Sequence, residues 1–195
     1  IPALRVDTVQ PPTILSEVDE DAARQRVVST WKQCAHEAAD KNIYLTWEFE
    51  PGFAFNKPSD ITRVLDAVPN DNFGVLYDTS HGHMCSVVGA RHPGEKETLP
   101  GGQIDLINML SGRINHIHLI DSDGGLHDDE TSTHNPFGTG HVDFKSLAPK
   151  LLAVPHIDYW TVDMCFWAGS WELVAPSLGF VKNLLKETET AVAAN

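Results

Sequence analysis

FGVLYDTSHGH, residues 73–83, is the stretch on which the fold turns. A short apolar run rich in strand formers stops at Asp78, with His81 close behind, which is how a buried parallel strand delivers polar groups at its carboxyl end. Period-two alternation puts Gly74, Leu76 and Asp78 on one face and Phe73, Val75 and Tyr77 on the other. Asp78 then stands at the rim of whatever the first face encloses. Asp78, Thr79 and Ser80 also read as an ordinary turn opening, so this stretch alone leaves two readings.

Working outward, three more apolar runs end in a potential metal ligand or acid/base group: YLTWEFE at 44–50, INHIHLID at 114–121 and DYWTVD at 158–163. In the first, Ile43, Leu45, Trp47 and Phe49 share a face, and Tyr44, Thr46, Glu48 and Glu50 share the other; two carboxylates on one face is unusual for a buried strand. In the second, His116, His118 and Ile120 fall together. A lone strand histidine is more often a hydrogen-bonded core residue than a ligand, and a second on the same face raises the functional reading. Four such runs in order point to one polar site at one end of a parallel sheet.

Helical patterns separate them. Residues 16–41 carry an apolar stripe of Val27, Trp31, Cys34, Ala35 and Ala38 behind an acidic start. Residues 59–68 repeat the pattern on Ile61, Val64, Leu65 and Val68, and shorter helices are expected at 104–110, at 144–152 capped by Asp143, and over 178–185. An additional strand is expected at 3–9, with Arg5 and Asp7 on one face. Residues 121–140 form a long polar loop holding Asp121, His127 and His134, expected to cover the site.

Strand and helix thus alternate five times, the grammar of an α/β chain built as a (β/α) barrel. Five strands do not close an eight-stranded barrel, so further βα units are expected from the same longer chain or from another subunit, in a homo- or hetero-oligomer.

The bulk numbers narrow the function. The chain has 195 residues, enough for one domain with a sizeable core, and 14 Lys and Arg against 27 Asp and Glu give a formal charge of -13. That charge disfavours nucleic acid and anionic membrane surfaces and leaves a small neutral or metal-held substrate. Cys34, Cys85 and Cys165 show no disulfide or zinc-ribbon spacing, so a reducing, cytoplasmic setting is expected. No apolar run approaches the roughly 20 residues needed to span a bilayer.

Four motifs carry a resemblance: LTWEFEPG at 45–52, DTSH at 78–81, HLIDS at 118–122 and FGTGHVDF at 137–144. In this order and spacing the chain resembles, over nearly its whole length, the C-terminal part of the xylose-isomerase-like barrel superfamily of sugar isomerases and epimerases, which includes the endonuclease IV enzymes. The resemblance implies a (β/α)8 TIM barrel in which residues 1–195 supply about the fourth to eighth βα units of a single domain. It implies one divalent metal held by Glu48, Asp78, His118 and Asp163, the last standing where the family has glutamate. Glu50 shares the face of Glu48 and is the alternative ligand; Glu48 is preferred because it precedes Gly52 by several positions. His81 matches a family histidine that contacts substrate or, in the nuclease branch, a second metal.

Three carboxylates and an imidazole make a hard site suited to Mn2+ first, with Mg2+, Co2+ or Zn2+ as alternatives. The implied chemistry is proton abstraction next to a carbonyl, with Glu48 or Asp163 as base, His81 as proton relay, and His81, His116, Glu50, Asp121 and His134 as substrate contacts. The leading expectation is a metal-dependent isomerase or epimerase of a sugar or keto-sugar; a lyase acting on a keto-glycoside would use the same step. The alternatives are phosphodiester hydrolysis of the endonuclease IV kind, which the net charge disfavours, and a partner-dependent half barrel without catalysis.

Overall fold

The computed structural model describes residues 2–193. Strand β1 (Ala3–Val6) leads through a 3-10 turn at Pro12–Ser16 to helix α1 (Glu20–Ala39), then β2 (Tyr44–Glu48), α2 (Pro58–Ala67) and β3 (Phe73–Asp78). Helix α3 (Thr79–His83) runs into a π-helical turn at Met84–Val88, followed by α4 (Gln103–Met109) and β4 (Ile114–Leu119). A small hairpin of β5 (Leu126–His127) and β6 (Thr131–Ser132) precedes α5 (Phe144–Leu152), β7 (Thr161–Val162) and α6 (Ser170–Ala193). The main sheet has the order β1-β2-β3-β4-β7 with every pairing parallel, the expected (β/α) arrangement.

The helix-facing side of the sheet holds the core. Leu45, Trp47 and Phe49 from β2 and its extension, Phe73, Val75 and Tyr77 from β3, and Ile117 and Leu119 from β4 are buried against Trp31, Ile61, Val64, Leu106, Leu147 and Leu151 of the helices. Trp31 lies 5.1 Å from Trp47 and 5.6 Å from Phe73, ring centre to ring centre. Each large apolar side chain taken from water there contributes about 1.5–3 kcal/mol before conformational entropy is set against it. The opposite face carries Thr46, Glu48, Asp78, His116 and His118, with Leu76 as a buried apolar residue among them.

One irregularity positions the site. Between β3 and β4 the register shifts: Val75 pairs with Ile114, but Leu76 pairs with His116 and Asp78 with His118. Asn115 is the extra residue, and its side chain fills the break, accepting from Thr46 Oγ1 at 2.5 Å and donating to the Leu45 carbonyl at 3.1 Å. Without this bulge Asp78 would face Ile117, and the histidines would turn toward the helices. Gly74 is needed beside it, because a Cβ there would collide with the Arg113 carbonyl and the Asn115 side chain.

Several boundaries differ from expectation. Helix α1 starts at Glu20, later than the expected residue 16, because Asp19 caps it by accepting from Ala22 N; Pro11 and Pro12 turn the earlier residues into the 3-10 segment. Cys34 is exposed and lies outside the stripe. The strand expected over 158–163 shrinks to Thr161–Val162, which pairs only with His118 and Leu119. Helix α6 extends well beyond the apolar run at 178–185. Asp143 caps α5 as expected, accepting from Ser146 N at 3.2 Å. No helix among the described residues is long and apolar enough to cross a membrane.

Candidate metal centre

Four side chains from four neighbouring strand ends converge. Glu48 ends β2, Asp78 ends β3, His118 lies in β4 and Asp163 follows β7. His118 Nδ1 is 3.3 Å from Glu48 Oε1, 3.4 Å from Asp163 Oδ2 and 3.9 Å from Asp78 Oδ2. One ligand atom from each of the four lies within 4.8 Å of all the others. Asp163 therefore reaches the cluster despite its short side chain.

Local folding aims these groups. Asp78 Oδ1 caps the start of α3, accepting from Ser80 N at 2.7 Å and His81 N at 3.0 Å, which turns Oδ2 toward His118. Glu48 and Asp78 are 1% and 0% exposed, and Glu48 Oε1, Asp78 Oδ2 and His118 Nδ1 have no hydrogen-bond partner. Buried polar atoms are nearly always satisfied, and three orphans pointing at one another are costly unless a cation lies between them. Their oxygen and imidazole donors and their spacing fit a hard or borderline divalent ion.

The electrostatics agree. Burial raises Asp78 well above the usual carboxylate range, and the Glu48 charge raises it further. Burial pulls His118 down, but the Asp163 and Glu48 carboxylates override it and lift the imidazole to about 10. Burial would raise Asp163 too, yet His118 and His134 hold it below its ordinary value. In the protein alone, His118 is drawn into the charge-balancing role a metal would take over.

Arg5 was not anticipated as part of this cluster. Its guanidinium forms an ion pair with Glu48 and another with Asp7, the latter at 3.0 Å. The signal was present: Arg5 pairs in register with Thr46, which shares the Glu48 face by alternation.

The expected substrate contacts divide. The His81 side chain is 4% exposed, with Nδ1 2.7 Å from Ser132 Oγ and Nε2 3.5 Å from Glu50 Oε2; burial lowers it to about 3, so it is neutral. Glu50 accepts from the Thr131 hydroxyl, and burial raises its carboxyl. His134 lies 5.2 Å from His81, ring to ring. The hairpin within residues 121–140 thus sets Thr131 against Glu50 and Ser132 against His81, with His134 just beyond it.

His116 stands lower on β4, its ring 5.2 Å from His118 and its Nε2 3.2 Å from Thr161 Oγ1. Asp121 is a correction. It is 2% exposed and accepts from the backbone N–H groups of Ser122, Gly138, Gly140 and Val142 at 2.9 to 3.1 Å, so it fastens the GTG turn instead of facing a ligand.

The sequence matches the model of the xylose isomerase-like TIM barrel family over residues 3–182. The chain belongs to that family. Among solved structures it is similar to a D-tagatose 3-epimerase-like protein, with a TM-score of 0.72 and 18% identity over 98% of this chain and 64% of that one. It is also similar to an L-ribulose 3-epimerase, with a TM-score of 0.62 and 17% identity over 88% of this chain and 57% of the other. A third is a xylose isomerase-like TIM barrel protein from Mycobacterium smegmatis in complex with magnesium, with a TM-score of 0.68 and 15% identity over 96% and 62%. The chain therefore spans between 57% and 64% of the length of these three structures. No curated protein gives a significant match. At such identities the structural likeness shows the fold alone.

Proposed function

We propose that this protein is a divalent-metal-dependent isomerase or epimerase of a sugar or keto-sugar, acting by proton abstraction next to a carbonyl. The observation that carries this reading is the convergence of Glu48, Asp78, His118 and Asp163, with three buried ligand atoms that have no hydrogen-bond partner. The likeness to a D-tagatose 3-epimerase-like protein and an L-ribulose 3-epimerase supports the substrate class. A bound cation of the Mn2+ or Mg2+ type supplies positive charge against the negative charge that develops on the substrate's carbonyl oxygen.

The chain's own groups do the rest. Glu48 and Asp163 approach His118 Nδ1 from different strands, at 3.3 and 3.4 Å, so each is placed to hold a proton at a carboxylate oxygen. His81, neutral and fixed by Ser132, presents Nε2 to a sugar hydroxyl or passes a proton toward Glu50. The hairpin over the site limits water around the carbanion-like carbon.

The test is an assay on ketoses in deuterated water. Deuterium entering the carbon beside the carbonyl, lost after chelation and restored by Mn2+, is the expected result. Metal-replete protein that exchanges no such proton in any ketose or keto-glycoside tried would overturn the reading. A second reading, phosphodiester hydrolysis, draws support from the further donor group Asp78, His81 and His134. The charge of -13 weighs against a polyanionic substrate, and cleavage of an abasic-site oligonucleotide would favour it.

A further inference from the structure

Asp163 also belongs to a second donor group, whose other members, His134 and Cys165, the proposed reaction does not use. Cys165 turns back so that its Sγ lies 2.9 Å from His134 Nδ1, and its backbone N–H donates to Asp163 Oδ1 at 3.2 Å. The thiol sulfur, a His134 ring nitrogen and an Asp163 carboxylate oxygen all lie within 4.8 Å of one another. The His134 side chain is 1% exposed, and the nitrogen that faces Cys165 and Asp163 is Nδ1, 3.9 Å from Asp163 Oδ2 and 3.2 Å from the Asp163 carbonyl oxygen. Phe166 screens the group, 5.9 Å from the His134 ring and stacked on His127 at 4.3 Å.

This set differs in kind from the first. One sulfur, one nitrogen and one oxygen form a softer environment, which prefers Zn2+ or Co2+ to Mn2+ or Mg2+. We propose that His134, Asp163 and Cys165 form a second cation position selective for a thiophilic divalent ion, with Asp163 shared between it and the cluster of Glu48, Asp78 and His118. This rests on the metal-centre reading of that cluster. Occupation exchanges the Cys165 S–H bond for a sulfur–metal bond, with the proton released to solvent and no change of oxidation state. Bonds of about 2.3 Å to sulfur and about 2.0 Å to nitrogen separate tetrahedral donors by roughly 3.5 Å. The Cys165 and His134 pair opens by a fraction of an ångström to match, which the half-buried loop position of Cys165 permits. The centre then holds one hard ion, or two ions when zinc or cobalt is supplied.

The purified protein is stripped with chelator, reloaded with Mn2+, Zn2+ or Co2+, desalted, and its metal counted by mass spectrometry. About one equivalent of Mn2+ and about two of Zn2+ per chain are expected, and the Co2+ form should show near-ultraviolet thiolate charge-transfer absorption. Cys165→Ser, checked for folding by circular dichroism, should keep the first equivalent and lose both the second and the charge-transfer band. If that variant does not fold, the cobalt spectrum of the unmodified protein decides alone. One equivalent of every metal with no thiolate band overturns the second position and leaves the first intact. Folded protein that retains no metal overturns both.

Discussion

The middle of the sheet and its margins meet water very differently. All six residues of β3 are buried, with Val75 and Tyr77 at 0% exposure, whereas the first three residues of β1 are exposed and both residues of β7 are only half buried. Even so, the margins supply Arg5 and Asp163 to the same cluster that the middle supplies with Glu48, Asp78 and His118. The three central residues stand on strands with a paired neighbour on each side. Asp163 lies just past a two-residue strand, held by one backbone bond to the Leu119 carbonyl at 3.2 Å, by the His134 ring against its own carbonyl at 3.2 Å and by Cys165 N–H. Central ligands should therefore set whether a cation binds, and the marginal one how tightly.

The largest expected effect tests that division. His118→Ala should weaken binding at the first position by more than about 100-fold, whereas Asp163→Asn, which keeps the shape and one ligand oxygen, should cost about 10-fold. Isothermal titration with Mn2+ measures both. Equal losses would mean that the margin is as firmly set as the centre.

Next in size is packing. Ile117 is 0% exposed, on the helix side of β4 between His116 and His118. Ile117→Ala should cost about 2–5 kcal/mol in urea unfolding, through lost transfer energy and the cavity left behind. A cost under about 1 kcal/mol would show that the centre relaxes freely and that its packing does not fix the ligands.

The same contrast explains what could be read from the sequence. FGVLYD is legible because a strand buried on both faces needs an unbroken apolar run, and the structure gives it Phe73–Asp78 without a residue of difference. DYWTVD looks similar, but its pairing is limited to Thr161 and Val162 by a neighbour on one side, a tertiary fact that no local pattern carries. The bulge at Asn115 is equally hidden, since alternation already placed His116 and His118 together and gave no sign that the register to β3 had to slip. Asp121 was misread because an aspartate at a strand end looks the same whether it meets a ligand or a row of backbone N–H groups. The nearby Gly138 and Gly140 were the available clue, for glycine turns expose such donors.

Helix α5 lies between centre and margin and tests a smaller electrostatic effect. Asp143 caps it, and hydrogen bonds from the Ser146 side chain and backbone N–H hold the carboxyl below its ordinary value. A depressed carboxylate stabilises the fold fully above its unfolded pKa and loses that contribution as pH falls through the folded value. Asp143→Ala should therefore cost about 1 kcal/mol at neutral pH, and the unfolding curves of the two proteins should converge in acid. A gap that persists below the folded pKa would assign the loss to packing instead of the cap.

The smallest effect concerns the margin itself. Trp171, Val174 and Leu178 of α6 are 87%, 45% and 51% exposed, and their spacing of three and four residues puts them on one helix face. That stripe is what further βα units, from the same chain or another subunit, would cover if the barrel is completed as expected. In the chain alone, Trp171 has little area to lose from a folded contact, so Trp171→Ala should change unfolding free energy by no more than about 0.5 kcal/mol. It should also reduce self-association seen by light scattering, because an exposed apolar stripe is adhesive. A cost above about 2 kcal/mol would mean that the stripe is already packed against something in solution. The margin would then be an interior surface, and Asp163 would stand on as firm a base as Asp78.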